Sequence, residues 1–123
     1  MGTAAIDSSW NFTPYQGFYL FAVEGVAIRF DGTFLTEPLF ETGFGLLKVE
    51  EGFGLILDPR LELQSRGIEY EYKLAKACIG KADLVLIDGS VLARFHDCRK
   101  KRPVKFYEYA EDLTNEESLV FVA

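Results

Sequence analysis

The run Ile68-Glu69-Tyr70-Glu71-Tyr72-Lys73-Leu74-Ala75-Lys76-Ala77-Cys78-Ile79-Gly80-Lys81-Ala82-Asp83-Leu84-Val85-Leu86-Ile87-Asp88-Gly89-Ser90 changes period once along its length. Up to Ile79 the apolar positions recur at helical spacing. Ile68, Leu74, Ala75, Cys78 and Ile79 mark one side, and Gly80 supplies a stop. From Ala82 to Ile87 the residues crowd into a Leu/Val/Ile run. It is too short for a helix and predicts a buried central strand that ends at Asp88-Gly89-Ser90. A helix that hands the chain directly to a buried strand belongs to a layered fold, with the helix on one sheet face and a right-handed crossover.

Outward from this unit, the helical period reaches back to about Leu61. Gly67 weakens that start and puts the firm helix from near Ile68. Upstream the chain is β-rich. Thr3-Ala4-Ala5-Ile6 reads as a short strand running into a loop at Ser8, Ser9, Trp10, Asn11 and Pro14. Gly17 to Phe30 reads as a long strand, and Asp31-Gly32 as a hairpin turn. Phe44–Val49 and Phe53–Leu57 flank Glu50-Glu51-Gly52 as a second hairpin, and Asp58-Pro59 closes this half. Leu119-Val120-Phe121-Val122 is a final strand, after which the chain stops at Ala123 like a fragment. The fold class expected is α+β, a mixed sheet with a helix packed on it.

With 123 residues, 49% of them apolar and 26% charged, the chain has the size and composition of one globular domain and not of a disordered segment. Its two cysteines form no disulfide framework, and no apolar run approaches the ~18 residues of a membrane span. No secretory pattern opens the chain, so a cytoplasmic protein with no membrane partner is the expectation. Thirteen Lys and Arg against nineteen Asp and Glu give a net charge of −6, unlike a general polyanion binder. The cations are nevertheless clustered. Arg94, Arg99, Lys100, Lys101, Arg102 and Lys105 fall between Leu92 and Tyr107, opposed by Asp97 alone. Such a segment reads either as local phosphate contacts or as a solvated loop.

Three carboxylates carry the chemistry. Asp7 and Asp88 each follow an apolar strand and precede small residues, Ser8-Ser9 and Gly89-Ser90. An Asp there sits where sheet-based sites form, or simply starts a turn. Glu71 lies three positions after Ile68 and four before Ala75, on the stripe facing the sheet, whereas Glu69 shares its rows with Lys73 and Lys76. A carboxylate on a core-facing stripe needs a proton, a partner or a cation. Three together would repel unless a divalent ion joined them, and all-oxygen donors suit Mg²⁺ or Mn²⁺. Such ions activate water in phosphodiester cleavage.

At these residues the sequence resembles the NurA nuclease domain family: Ala5-Ile6-Asp7-Ser8-Ser9, a long strand around Tyr19–Ile28, Arg66 and Glu71 on a helix, then Leu84-Val85-Leu86-Ile87-Asp88-Gly89-Ser90. The resemblance implies an RNase H-like core and a manganese-dependent DNA nuclease that resects 5′ ends with a HerA-type translocase. It places the family's acidic residues on Asp7, Glu71 and Asp88, with Glu69 the competing helix position, and by analogy it allows a homodimer, which the sequence itself does not show. It spans nearly all of residues 1–123, read as a single domain lacking the family's C-terminal part and the Tyr and His found there.

Other candidates are weaker. His96, the only histidine, lies in the charged stretch, Cys78 reads as a packed thiol, and Cys98 as a bystander among cations. Trp10, Phe12 and Tyr15 beside Asp7 read as loop packing or as stacking surfaces for a single strand. The function expected is metal-dependent DNA hydrolysis, with Arg94, Arg99, Lys100, Lys101 and Arg102 on phosphates. The alternative is a truncated, non-catalytic relative that serves as a protein-interaction or DNA-binding module.

Overall fold

A computed structural model describes residues 2–33, 35–48, 59–88 and 119–122. The chain order is β1 (Thr3–Tyr15), β2 (Phe18–Phe30), β3 (Leu39–Lys48), α1 (Pro59–Cys78), β4 (Leu84–Asp88) and β5 (Leu119–Val122). These strands make one mixed sheet of order β3-β2-β1-β4-β5. β1, β2 and β3 are an antiparallel meander, and β4 lies parallel to both β1 and β5. The α+β layer expected from the sequence is the one observed.

β1 runs nine residues past Ile6, the predicted strand end, through Trp10 and Pro14 to Tyr15. The reason is an alternation hidden by polar residues. Ser8, Trp10 and Phe12 turn toward the helix side, while Ser9, Asn11 and Thr13 turn outward. Pro14 is tolerated because, among the described residues, β1 beyond Ile6 pairs with β2 alone. The tight hairpin falls at Gln16-Gly17, between the paired Tyr15 and Phe18, where Gly17 takes a φ of 85°. After Asp31-Gly32 the connection is wider than a two-residue turn. Asp31 accepts the Thr33 N–H at 2.8 Å, the Thr36 N–H reaches the Arg29 carbonyl, and β3 opens at Leu39 instead of Phe44. The predicted strand at 53–57 lies outside the described residues.

α1 starts at Pro59, nine residues before the firm start expected. Proline is well placed in a first turn, and Gly67 is held inside the helix by packing. Gly80, with a φ of 84°, stops the chain just past the helix as predicted. The helix lies on β1 and β2, and two apolar clusters form beneath it. Ala4, Ile6, Ala27, Ile68, Tyr72, Leu74, Cys78, Val85 and Ile87 belong to the first. Phe21, Val23, Leu47 and Leu63 make the second, with Trp10, Phe12, Tyr19 and Tyr70 against it.

The seam is close because glycines line it. A Cβ on Gly25 would stand 3.0 Å from both Leu74 Cδ1 and Tyr70 Cβ, one on Gly43 would overlap the Tyr70 hydroxyl, and one on Gly67 would come within 2.9 Å of Ser8 Oγ. The opposite sheet face carries exposed side chains, among them Leu20, Ile28, Phe40, Leu46 and Phe44, the last 85% exposed. Among the described residues no helix is long and apolar enough to cross a membrane.

Candidate active site

The parallel ladder between β1 and β4 ends at Ile6 beside Ile87. Asp7 and Asp88 are the next residues on these two neighbouring strands, and Asp88 is the last of β4. The alternation that buries Ala4 and Ile6 under α1 turns Asp7 to the open face, where it is exposed. Its Oδ1 accepts the Ser8 backbone N–H at 2.9 Å.

Glu71 arrives from the other face. It is 5% exposed, on the sheet-facing side of α1, as the helical stripe predicts. Its Oε2 accepts a hydrogen bond from Ser8 Oγ at 2.5 Å. This polar contact lies where the two apolar clusters meet, with Ile6 on one side of Ser8 and Trp10 on the other. Glu69 is half-buried, and Lys73, predicted to pair along the helix, stands 3.9 Å from Glu41 of β3 instead. Arg66 pairs with Glu62 at 3.3 Å and lays its guanidinium 4.8 Å over the Phe21 ring.

Ser8 is the residue that sequence reasoning valued only for its small size. Its signal was present: it follows Asp7 in Asp-Ser-Ser, and it falls on the helix-facing phase of β1. The aromatic residues beside Asp7 have other partners. Trp10 stacks on Phe12 with ring centroids 6.3 Å apart, Phe12 meets Tyr19 edge-on, and Tyr15 stacks on Phe18. Trp10 and Phe12 also turn toward α1, away from the Asp7 side, so they are strand packing and not a loop platform. On the Asp7 face a shallow concavity of about 410 Å³ runs across β1, β2 and β3, lined by Ser9, Asn11, Glu24, Thr42 and Phe44 among others. Arg94, His96, Cys98, Arg99, Lys100, Lys101 and Arg102 lie outside the described residues.

Asp7 and Asp88 occupy neighbouring backbone positions just past the ladder end, whereas the Glu71 carboxylate reaches Ser8 from the opposite sheet face; all-oxygen donors of this type suit a hard divalent cation. Among the described residues no group of three or more His, Cys, Asp or Glu side chains is placed to hold an ion. Of Asp88 only the backbone is described.

A mixed sheet of this order, with a helix from β3 to β4 on one face and acidic residues where β1 and β4 part, is the RNase H-like arrangement. Within it the chain has a NurA-like fold. It is similar to the NurA nuclease from Sulfolobus solfataricus, with a TM-score of 0.62, 22% identity and coverage of 74% of this chain and 27% of that one. A structure of NurA bound to dAMP and manganese matches at TM-score 0.57 and 16% identity, over 72% of this chain and 19% of that one. A foamy viral protease-reverse transcriptase in complex with dsDNA matches at TM-score 0.50 and 16% identity, over 98% of this chain and 78% of that one. The likeness is one of fold, and the chain spans about a quarter of the NurA nuclease from Sulfolobus solfataricus. No protein-family model matches the sequence, and no curated protein does.

Proposed function

We propose that this chain carries the metal-binding core of a DNA nuclease of the NurA kind. The observation that carries the reading is the place of Asp7 and Asp88 on neighbouring strands, next after the last pair of the β1–β4 ladder, in a fold shared with NurA nucleases. Asp7, Glu71 and Asp88 would hold Mn²⁺ or Mg²⁺, whose chemistry when bound is to lower the pKa of water and to stabilise the leaving oxygen of a phosphodiester. A similar structure holds manganese and dAMP, which favours that ion and a deoxynucleotide substrate.

The chain's own residues supply binding and position. Asp7 opens onto the face with the 410 Å³ concavity, where Ser9, Asn11 and Thr42 offer hydrogen bonds to a nucleotide. Glu71, buried on the sheet-facing side of α1, is held by the Ser8 hydroxyl on the face opposite Asp7. Arg94 and the run from Arg99 to Arg102 would contact phosphates. Resection of 5′ ends with a HerA-type translocase, and assembly as a homodimer, extend the proposal by its likeness to NurA.

Calorimetric titration of Mn²⁺ into the chain, beside the Asp7→Asn/Asp88→Asn variant, tests the reading. Binding that vanishes in the variant supports it. A wild-type chain that takes up no ion sinks it and leaves the interaction-module reading in front.

A further inference from the structure

Phe44 is 85% exposed, so its ring does little packing within the chain. It stands on β3 at one side of the shallow concavity on the open sheet face, and Asn11 of β1 stands at the other. The strand register sets Ala22 of β2 between them. Two residues further along, it sets Glu24 of β2 between Ser9 and Thr42. We propose that this slot holds one unpaired, amine-bearing nucleobase, stacked on Phe44 with its polar edge on Asn11 and Glu24. The inference rests on the nuclease reading above and names the strand form and the base class that the same face takes.

Each polar wall has one chemical sense. Asn11 Oδ1 accepts the Phe12 N–H at 2.8 Å, so the amide presents its NH₂ to a ligand as a donor. Glu24 is exposed and, among the described residues, has no ion-pair partner. Its carboxylate repels phosphate and accepts N–H, which sends the base and not the backbone into the slot. Ala22 keeps the floor low for a flat ring, and a volume of about 410 Å³ is within the range of small-molecule sites. Asn11 and Glu24 are diagonal neighbours on adjacent strands, close enough for long side chains to share one base edge. Adenine and cytosine each offer a ring acceptor beside an exocyclic amine, which matches an NH₂ beside a carboxylate. The ring N–H of thymine lies between two carbonyl oxygens, which that carboxylate repels. A base whose face lies on Phe44 has left any duplex stack, so the strand is single. Asp7 shares this face two residues along β1 from Ser9, roughly 7 Å away, on the side where the sugar–phosphate can leave the slot.

The test is fluorescence anisotropy of dye-labelled deoxyadenosine, deoxycytidine and thymidine hexanucleotides in EDTA. It uses the chain and its Phe44→Ala, Glu24→Gln and Asn11→Asp variants, with circular dichroism on each. The wild type is expected to bind the adenine and cytosine strands about tenfold more tightly than the thymine strand. Phe44→Ala should weaken all three about tenfold, the loss of one stacked base. Glu24→Gln, whose amide can also donate to a carbonyl, should erase the discrimination against thymine. Asn11→Asp, which keeps an acceptor for the Phe12 N–H, should weaken the adenine and cytosine strands. The site is overturned if a folded Phe44→Ala binds like the wild type, or if the base preference survives Glu24→Gln. A wild-type chain that binds none of the strands overturns it too, while Mn²⁺ uptake lost in Asp7→Asn/Asp88→Asn would still uphold the nuclease reading. Base binding by a chain that takes up no Mn²⁺ upholds this site and sinks the metal reading alone.

Discussion

Ser8 and Glu71 are joined across the β1–α1 seam by a hydrogen bond of 2.5 Å, set between two apolar clusters. Such a pair is asymmetric in its energetics. A buried polar group that loses its partner costs about 1–3 kcal/mol, whereas replacing both members by apolar groups of similar shape is often neutral.

Glu71→Leu alone is therefore expected to lower stability by about 1–3 kcal/mol, because the Ser8 hydroxyl is left facing carbon. Adding Ser8→Ala to it should restore part of that loss. Urea denaturation of the two single variants and the double variant measures the coupling, and strictly additive effects would contradict it.

Gly43 and Tyr70 form a second coupled pair. A Cβ at residue 43 would overlap the Tyr70 hydroxyl but stand 3.3 Å from Cζ of that ring. Gly43→Ala should cost about 1–3 kcal/mol by overpacking. In a Tyr70→Phe background the same change should cost much less, since the overlapping atom is gone. Equal costs in both backgrounds would show that the strand moves and not the ring.

Deleting methylenes from the two clusters should scale with what is removed. Leu63→Ala, at a fully buried position of α1, is expected to cost about 2–5 kcal/mol, and Ile87→Val in β4 about 0.5–1.5 kcal/mol. Thermal or urea unfolding of each variant checks the ranking.

Much of this architecture was legible in the residues. The switch from helical spacing to the run Leu84–Ile87 defined the helix-to-strand unit, and the stripe through Ile68, Leu74 and Ala75 placed Glu71 against the sheet, as found. What was not legible depended on neighbours. Half of β1 reads as loop because Ser9, Asn11 and Thr13 are polar, and only pairing with β2 along its full length makes it a strand. The first turns of α1 were obscured by Gly67, whose local cost is offset by the close approach it permits to Ser8. The contact from Ser8 to Glu71 joins residues far apart in sequence, so no local pattern announces it. The Lys73 partner was missed for the same reason, since Glu41 comes from a different element.

Cys78 gives a prediction in pH. Burial raises its thiol pKa above the ordinary 9.0, with Arg29 and then Lys81 opposing the rise. The thiol thus favours the folded chain fully below the unfolded value, and that contribution is lost as pH climbs from there through the higher folded value, because the unfolded chain gives up its proton first. Stability should fall above about pH 9 in the wild type and fall less in Cys78→Ala. In a Cys98→Ser background at pH 8, iodoacetamide should label Cys78 only as fast as the chain opens, and urea should accelerate labelling sharply. Rapid labelling of the folded chain would contradict the burial.

The two ladders of β1 close over very different lengths of chain. Its pairing with β2 needs only the Gln16-Gly17 turn, whereas its pairing with β4 joins Ile6 to Ile87 and must wait for the meander and the helix between them. Long-range closure is the slow part of folding, so the hairpin forms early and the β1–β4 zipper late. Asp88 takes its place beside Asp7 only when that zipper is complete. The approach of Asp88 to Asp7 is therefore a late event, and partial opening that spares the hairpin separates the two first. Amide exchange along Leu84–Ile87 that outpaces exchange along Trp10–Tyr15 would be the mark of that hierarchy.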